Sequence, residues 1–324
     1  MDRNIWDAVV IGAGAAGLSA AQALGRSLRR TLVIDAGSPR NRFAARMHNV
    51  LGHDGVPPSE LAARGRAEAE RYGVEFLEGS VLERTVAAVR DGGDAVEVEL
   101  ASGELLGARA LVVATGVSDV LPDLPGLAEH WGSGVLHCPY CHGWEVRGER
   151  IAVVTTSPMG MHQARLLRQW TDRLTVFTAG MGEVDETAAR EFAARGVELV
   201  SEAVTGVAGD GTRVTAVRTA DGEEHPCDAV FAVGAMVPGD AFLSGLGLER
   251  SESPMGSFVV VDPMGRTSHP RVWAAGNVVN AGASVPMAMG AGTMAGAAAN
   301  AALVDEDFAL AVGESMPVAH DPAP

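Results

Sequence analysis

Trp6-Asp7-Ala8-Val9-Val10-Ile11-Gly12-Ala13-Gly14-Ala15-Ala16-Gly17-Leu18-Ser19-Ala20 is the stretch that decides the fold. A short apolar strand runs into Gly-x-Gly-x-x-Gly and then into an Ala-rich helix. The glycines permit a tight turn, a close backbone approach to a pyrophosphate and close helix–strand packing. The helix N-terminus offers amides and a dipole to phosphates. A second strand, Thr31-Leu32-Val33-Ile34, ends in Asp35, an acid at the spacing of a ribose contact. Taken alone, the glycine pattern also describes an ordinary βα turn. Set in a strand–turn–helix–strand–acid unit, it predicts an α/β fold that binds a dinucleotide.

Downstream, Ala36-Gly37-Ser38-Pro39-Arg40-Asn41-Arg42-Phe43 is a turn-rich loop. Its two arginines could meet phosphate or adenosine; a solvated basic loop is the plainer reading. Residues 59–72 have the pattern of an amphipathic helix with an N-cap signal at Ser59. Alternation over 95–100, a turn at Ser102-Gly103 and the apolar run Ala110-Leu111-Val112-Val113-Ala114 predict a β-meander returning to the core sheet. That run ends in Ala114-Thr115-Gly116.

His137-Cys138-Pro139-Tyr140-Cys141-His142-Gly143-Trp144-Glu145 carries the chemistry. Two cysteines separated by two residues can close a small disulfide ring and pass two electrons to another dithiol through a mixed disulfide. A histidine precedes the first cysteine and another follows the second, and thiol exchange moves a proton at each step. Half of a zinc site is the alternative. The chain has 3 cysteines, and the third, Cys227, is remote, so zinc would have to recruit the histidines. No metal is expected. Cys227 precedes the strand Ala229-Val230-Phe231-Ala232-Val233 and reads as an inert buried thiol. Tyr140 and Trp144 read as packing residues, and His137 also reads as a strand-end histidine bonded to backbone.

At 324 residues, 47% of them hydrophobic, the chain has material for about two domains with a core each. A formal net charge of −16 argues against nucleic acid and anionic membrane as partners. No basic-then-apolar leader opens the sequence, and no run approaches a membrane span. The expectation is a soluble, cytoplasmic protein, where a Cys-x-x-Cys is more often catalytic than structural. The tail over 312–324 reads as a solvated end.

Strand–Gly-x-Gly-x-x-Gly, then Ala114-Thr115-Gly116, then Cys-x-x-Cys resembles the low-molecular-weight thioredoxin reductases, flavoprotein disulfide reductases that hold FAD. Val272-Trp273-Ala274-Ala275-Gly276-Asn277 matches the family's strand ending in Ala-Gly-Asp, with Asn277 in place of the acid. Pro286-Met287-Ala288-Met289-Gly290 then opens a Gly/Ala-rich helix aimed, in the family, at the flavin. The resemblance implies two Rossmann-like, three-layer ββα domains. A discontinuous FAD domain would comprise 1–118 and 241–324, with 119–240 inserted. It implies FAD contacts at Gly12, Gly14, Ala15, Ala16, Gly17, Asp35, Ala36, Arg40, Arg42, Asn49, Val81, Thr115, Gly116, Gly276, Asn277, Met287 and Ala288. It also implies a homodimer.

The inserted domain departs from the family. Where a reductase carries a second Gly-x-Gly-x-x-Ala turn for NADPH, this chain reads Ile151-Ala152-Val153-Val154-Thr155-Thr156-Ser157-Pro158-Met159-Gly160. Thr155 and Ser157 take the first two glycine positions, and Pro158 removes an amide. Thr178-Ala179-Gly180-Met181-Gly182-Glu183 holds no cation for a 2′-phosphate. The motif with His142 resembles the thioredoxin-reductase-like dithiol oxidases of the holomycin and gliotoxin type. By that resemblance a small-molecule dithiol loses a proton to His142 or His137 and attacks Cys138. Cys141 is the flavin-proximal cysteine, and molecular oxygen takes the electrons as hydrogen peroxide. A reductase fed by a degenerate NADPH site or an electron carrier, and a non-enzymatic flavin redox sensor, stay open.

Overall fold

The computed structural model describes residues 5–78, 84–210, 213–253 and 255–315. The chain divides into two compact units: Met1–Pro39, Leu61–Ser118 and Pro238–Pro324 form one, Arg40–Glu60 and Asp119–Val237 the other. Residues 40–60, expected with the first domain, cluster with the second.

In the first unit the strands Glu75–Phe76, Thr31–Ile34, Ile5–Ile11 and Leu105–Val113 run parallel in that order. The long strand Leu105–Val113 then forks. Its start pairs antiparallel with Val96–Leu100, which pairs with Val86–Asp91, while its end pairs parallel with Val272–Ala274. The fork makes two layers of one sheet, and the helices Ala15–Arg26 and Val285–Ser315 form the third. Ile5–Ile11 and Leu105–Val113 are apolar on both faces because both are covered.

The two helices touch through small residues. Ala16, Ala20, Ala21 and Leu24 meet Ala288, Ala295, Ala299 and Leu303, a row at helical spacing. A Cβ on Gly292 would land on the Ala16 carbonyl, inside van der Waals contact, and one on Gly296 would sit 2.6 Å from the Ala20 oxygen. Over Val285–Val312 the long helix is apolar enough to cross a membrane by length and composition. The sequence reading missed this run. Here its alanine face is seated in the core of the unit, and its far end is tied by charge. Arg109 pairs with Asp7, Glu306 and Asp307, Arg29 with Asp307, and Arg271 with Glu306. The helix runs to Ser315, so the stretch read as a solvated tail is helical at its start; residues 316–324 lie outside the described residues.

The second unit repeats the plan. Glu198–Val200, Leu174–Phe177, Ile151–Val154, Ala229–Ala232 and Val135–Leu136 form a parallel sheet, and Val204–Gly209, Val214–Thr219 and Glu224–Pro226 an antiparallel one. The helix expected at 59–72 is Pro58–Glu70. Ser59 is inside its first turn rather than its cap, because Pro58 has a φ ready for a first helical position and no amide to satisfy.

Candidate active site

The turn after Ile5–Ile11 is built by exclusion. Gly12 has φ +99°, and a Cβ there would sit 2.6 Å from the Ala114 oxygen. A Cβ on Gly17 would collide with the Gly12 carbonyl, so only glycine lets the helix start this close to the strand. Gly14, the residue before the helix, has open space where its Cβ would be. Ala15 is half-buried and Ala16 buried behind it. Asp35 accepts the Ala13 N–H at 2.9 Å and the Gly37 N–H at 3.1 Å, which locks the end of Thr31–Ile34 to the glycine turn. Ala36 is exposed beyond it.

Thr115 and Gly116 follow Leu105–Val113 at the same end of the sheet. Gly116 has φ +71° with no atom near its Cβ position, and its carbonyl accepts the Gly239 N–H at 3.0 Å. Thr115 Oγ1 is buried with no hydrogen-bond partner among the described residues. That hydroxyl is free to bond a group seated at this strand end. Gly276 has φ +80°, and its Cβ would sit 2.9 Å from that of Ala16. The Asn277 amide donates to the carbonyls of Asn280, Ala281 and Ala283, each at 3.0 Å. A carboxylate in that place would face three oxygens, so the loop itself accounts for asparagine where the family has an acid. Asn277 Oδ1 is left as an acceptor for a hydroxyl. Met287 is exposed in the first turn of the long helix, and Ala288 is buried beside it, its N–H on the Ser284 carbonyl. The donors, the open glycine and the orphaned hydroxyl fit a dinucleotide. Val81 lies outside the described residues.

In the second unit Cys138 and Cys141 form a disulfide, with Cα atoms 5.2 Å apart. Pro139–His142 is one helical turn. The Cys141 N–H lies 3.2 Å from Cys138 Sγ and donates to it, a contact that stabilises negative charge on that sulfur. Gly143 is required: a Cβ there would sit 2.6 Å from the Pro139 oxygen and 2.8 Å from the Trp170 ring. Gln163, only 4% exposed on the helix Pro158–Leu167, donates through Nε2 to the His137 carbonyl. Trp170 meets Tyr140 edge-on at 6.0 Å. Tyr140 and Trp144 are themselves 64% and 65% exposed, so neither is the packing residue expected of it; Trp170 fills that role.

The two histidines differ in surroundings and agree in charge. His137 follows the strand Val135–Leu136, and its Nε2 lies 3.5 Å from Arg40 Nη2. Burial, and then the Arg40 cation, push its pKa below that of a free imidazole. Burial does the same to His142; Glu145 opposes the shift and His48 adds to it. Neither Nδ1 has a well-formed hydrogen bond among the described residues, although the carbonyls of Ala232 and Cys138 act on the respective rings. Both rings are therefore neutral at pH 7 and able to take a proton.

Arg40 and Arg42, assigned to the cofactor from sequence, face other groups. Arg40 grips Asp119 with two hydrogen bonds, 2.7 and 2.6 Å, and Arg42 lies 4.1 Å above the Phe43 ring. Asn49 adopts φ +59°, a left-handed turn that asparagine tolerates, and its N–H donates to Asp54 Oδ1 at 3.0 Å. Both Arg40 and Asn49 belong to the second unit. The sequence reading missed His48, which bridges Asp54 and Glu145; its signal was a polar residue in an otherwise plain loop.

The turn after Ile151–Val154 is closely packed around Thr155. Thr155 is buried and donates to the Phe177 carbonyl at 2.7 Å, which turns its methyl toward Gly160; a Cβ on Gly160 would be 2.6 Å from that methyl carbon. Gly180 rests on the Thr155 carbonyl, bringing the loop 178–182 down onto the turn. Cys227 is buried, and burial followed by the Asp228 charge pushes its thiol up to about 12. After reduction of the native protein, iodoacetamide at pH 8 should label two thiols per chain rather than three, as read by mass, because a thiol that far from ionising reacts slowly. No cluster of three or more metal-ligating side chains occurs among the described residues.

A dinucleotide cradle in one unit and a redox disulfide on the same fold in the other define a flavoprotein-type disulfide oxidoreductase. The family model for pyridine nucleotide-disulphide oxidoreductases matches residues 6–292, and the chain belongs to that family. It is 34% identical over 313 residues to thioredoxin reductase tcpT of Claviceps purpurea, covering 93% of this chain and 95% of that protein. It is 32% identical over 323 residues to thioredoxin reductase sirT of Leptosphaeria maculans, covering 94% and 97%. Its fold superposes on the crystal structure of HlmI with a TM-score of 0.90 at 42% identity, covering 97% of this chain and 98% of that one. The chain is a flavin-dependent oxidoreductase of thioredoxin reductase type, and FAD is its cofactor.

Proposed function

We propose that this protein is a dithiol oxidase that closes an intramolecular disulfide in a small-molecule natural product of the dithiolopyrrolone kind, with dioxygen as the final acceptor. The observation that carries the reading is Thr155 seated over Gly160 in the second nucleotide turn, next to a loop over 178–183 without a cation. Both features weigh against a nicotinamide cofactor at this turn, and on this reading the electrons enter from the dithiol.

The substrate loses a thiol proton to His142, with His137 as the second candidate, and its thiolate attacks Cys138 Sγ. The Cys138–Cys141 bond breaks and Cys141 leaves as a thiolate. The second substrate thiol attacks the mixed disulfide and expels Cys138, whose leaving charge is met by the Cys141 N–H. The product leaves as a cyclic disulfide, and two electrons remain on the two cysteines. Bound FAD would supply the two-electron acceptor whose reduced form dioxygen reoxidises. The balance is dithiol plus dioxygen to disulfide plus hydrogen peroxide. Gly12, Gly14, Gly17, Asp35, Thr115, Gly276, Asn277 and the start of the long helix would hold that group.

The exposed apolar row Met294, Val304 and Phe308 along the long helix supports a homodimer. Acidic charge and a catalytic use of Cys-x-x-Cys support a cytoplasmic enzyme. The relatives' name, thioredoxin reductase, favours a second reading, a reductase fed by NADPH. Anaerobic stopped flow decides between them. Excess NADPH should leave the flavin absorbance intact for minutes, whereas a small dithiol should bleach it. Air should then restore the colour with one peroxide per disulfide formed. Rapid bleaching by NADPH sinks the oxidase reading.

A further inference from the structure

A neutral, half-buried histidine that accepts a proton needs a counter-charge where the imidazolium forms. Glu145 supplies one from the turn that follows His142. Its Oε1 is 3.4 Å from His48 Nε2, and His48 Nδ1 is 3.5 Å from Asp54 Oδ2. Asp54 is fixed in turn by the Asn49 N–H, aimed by the left-handed turn at Asn49. The segment bearing His48 is anchored nearby by Arg40 on Asp119 and by Phe43 against Gly132. The charged and titratable groups around His142 are Glu145, His48 and His137, with Asp54 behind His48 and the Arg40–Asp119 pair behind His137. The Glu145 N–H donates to the His142 carbonyl at 3.2 Å, which ties Glu145 to the turn that carries the ring, and its charge opposes the effect of burial on that ring.

We propose that Glu145 is a positioning residue for proton transfer at His142, held by a His48–Asp54 brace that aims its carboxylate at the imidazolium. The inference rests on the reading of His142 as the base. The neutral ring takes the thiol proton and becomes the imidazolium. The charge Glu145 presents makes the protonated ring cheaper to form and so quickens attack on Cys138, with no bond made to Glu145 itself.

The test uses the full-length holoenzyme without oxygen. The His142 ring is followed by NMR over pH, and reduction of Cys138–Cys141 by dithiothreitol is followed by rapid acid quench and thiol alkylation. Glu145→Gln should move the His142 titration to lower pH, because the group that raised it is gone. It should slow exchange at pH 7 by about five- to tenfold. Glu145→Asp, which keeps the charge, should recover most of both. Titration and rate unchanged in Glu145→Gln overturn the proposal; so does equal loss in the Gln and Asp variants, which marks a packing role. Neither readout needs turnover in air. A wild-type protein that fails to oxidise dithiols therefore defeats the oxidase reading alone, and an unmoved Glu145→Gln titration defeats this inference alone.

Discussion

Cys138→Ser should purify yellow, with FAD at wild-type stoichiometry, and oxidise a small dithiol at least about 1,000-fold more slowly than the parent protein. The serine hydroxyl is close in size and keeps the Cys141 N–H partnered, so the turn Pro139–His142 stays in place. What is lost is the electrophilic sulfur. No disulfide can form, and Cys141 alone cannot exchange two electrons with a dithiol. The FAD cradle is in the other unit and is untouched. Oxygen-electrode rates and the flavin spectrum of the same sample check both halves. Activity within tenfold of wild type would remove Cys138 as the attacked sulfur.

Gly292→Ala should be among the most damaging single methyls in the FAD unit. The new Cβ points at the Ala16 carbonyl, backbone that has no side-chain rotamer to yield. The two helices must part along Ala16, Ala20 and Ala295, at a cost of about 3 kcal/mol and a Tm roughly 5–10 °C lower. Ala16 belongs to the glycine turn itself, so FAD should be lost on gel filtration of the variant. Gly290→Ala is the control, since nothing lies within 4 Å of its Cβ position, and it should retain wild-type Tm and FAD. Equal behaviour of the two variants in thermal melts would show that close helix contact does not shape this cradle.

Local signals carried far in this chain. The glycine turn, Asp35 and the meander were legible because each rests on neighbours in sequence: φ above zero at Gly12, alternation over 95–100, an acid at a strand end. The disulfide was legible because a two-residue spacer brings its sulfurs together on one turn. Tyr140 and Trp144 were misread for the opposite reason, and the partner of Arg40 was not foreseen. Arg40 meets Asp119, 79 residues away, and no local pattern announces that partner. Tyr140 and Trp144 look like core residues by type, yet Trp170 occupies the space behind the turn at Gly143, and both lie exposed. The start of the long helix was legible but its apolar length was not, because its alanines and glycines spread apolar character around the whole circumference; which face is buried depends on Ala16 and Ala20.

By itself, the amino-acid order determined two dinucleotide-type folds, a pair of cysteines spaced to close a disulfide and the absence of glycine at 155 and 157. These follow from backbone conformations and short covalent reach, which neighbouring residues impose. Only the tertiary structure decided that Thr155 closes over Gly160, that Asn277 serves its own loop, and that His48 and Glu145 meet beside His142. Those contacts join segments far apart along the chain, and their formation depends on burial and packing that no single stretch contains.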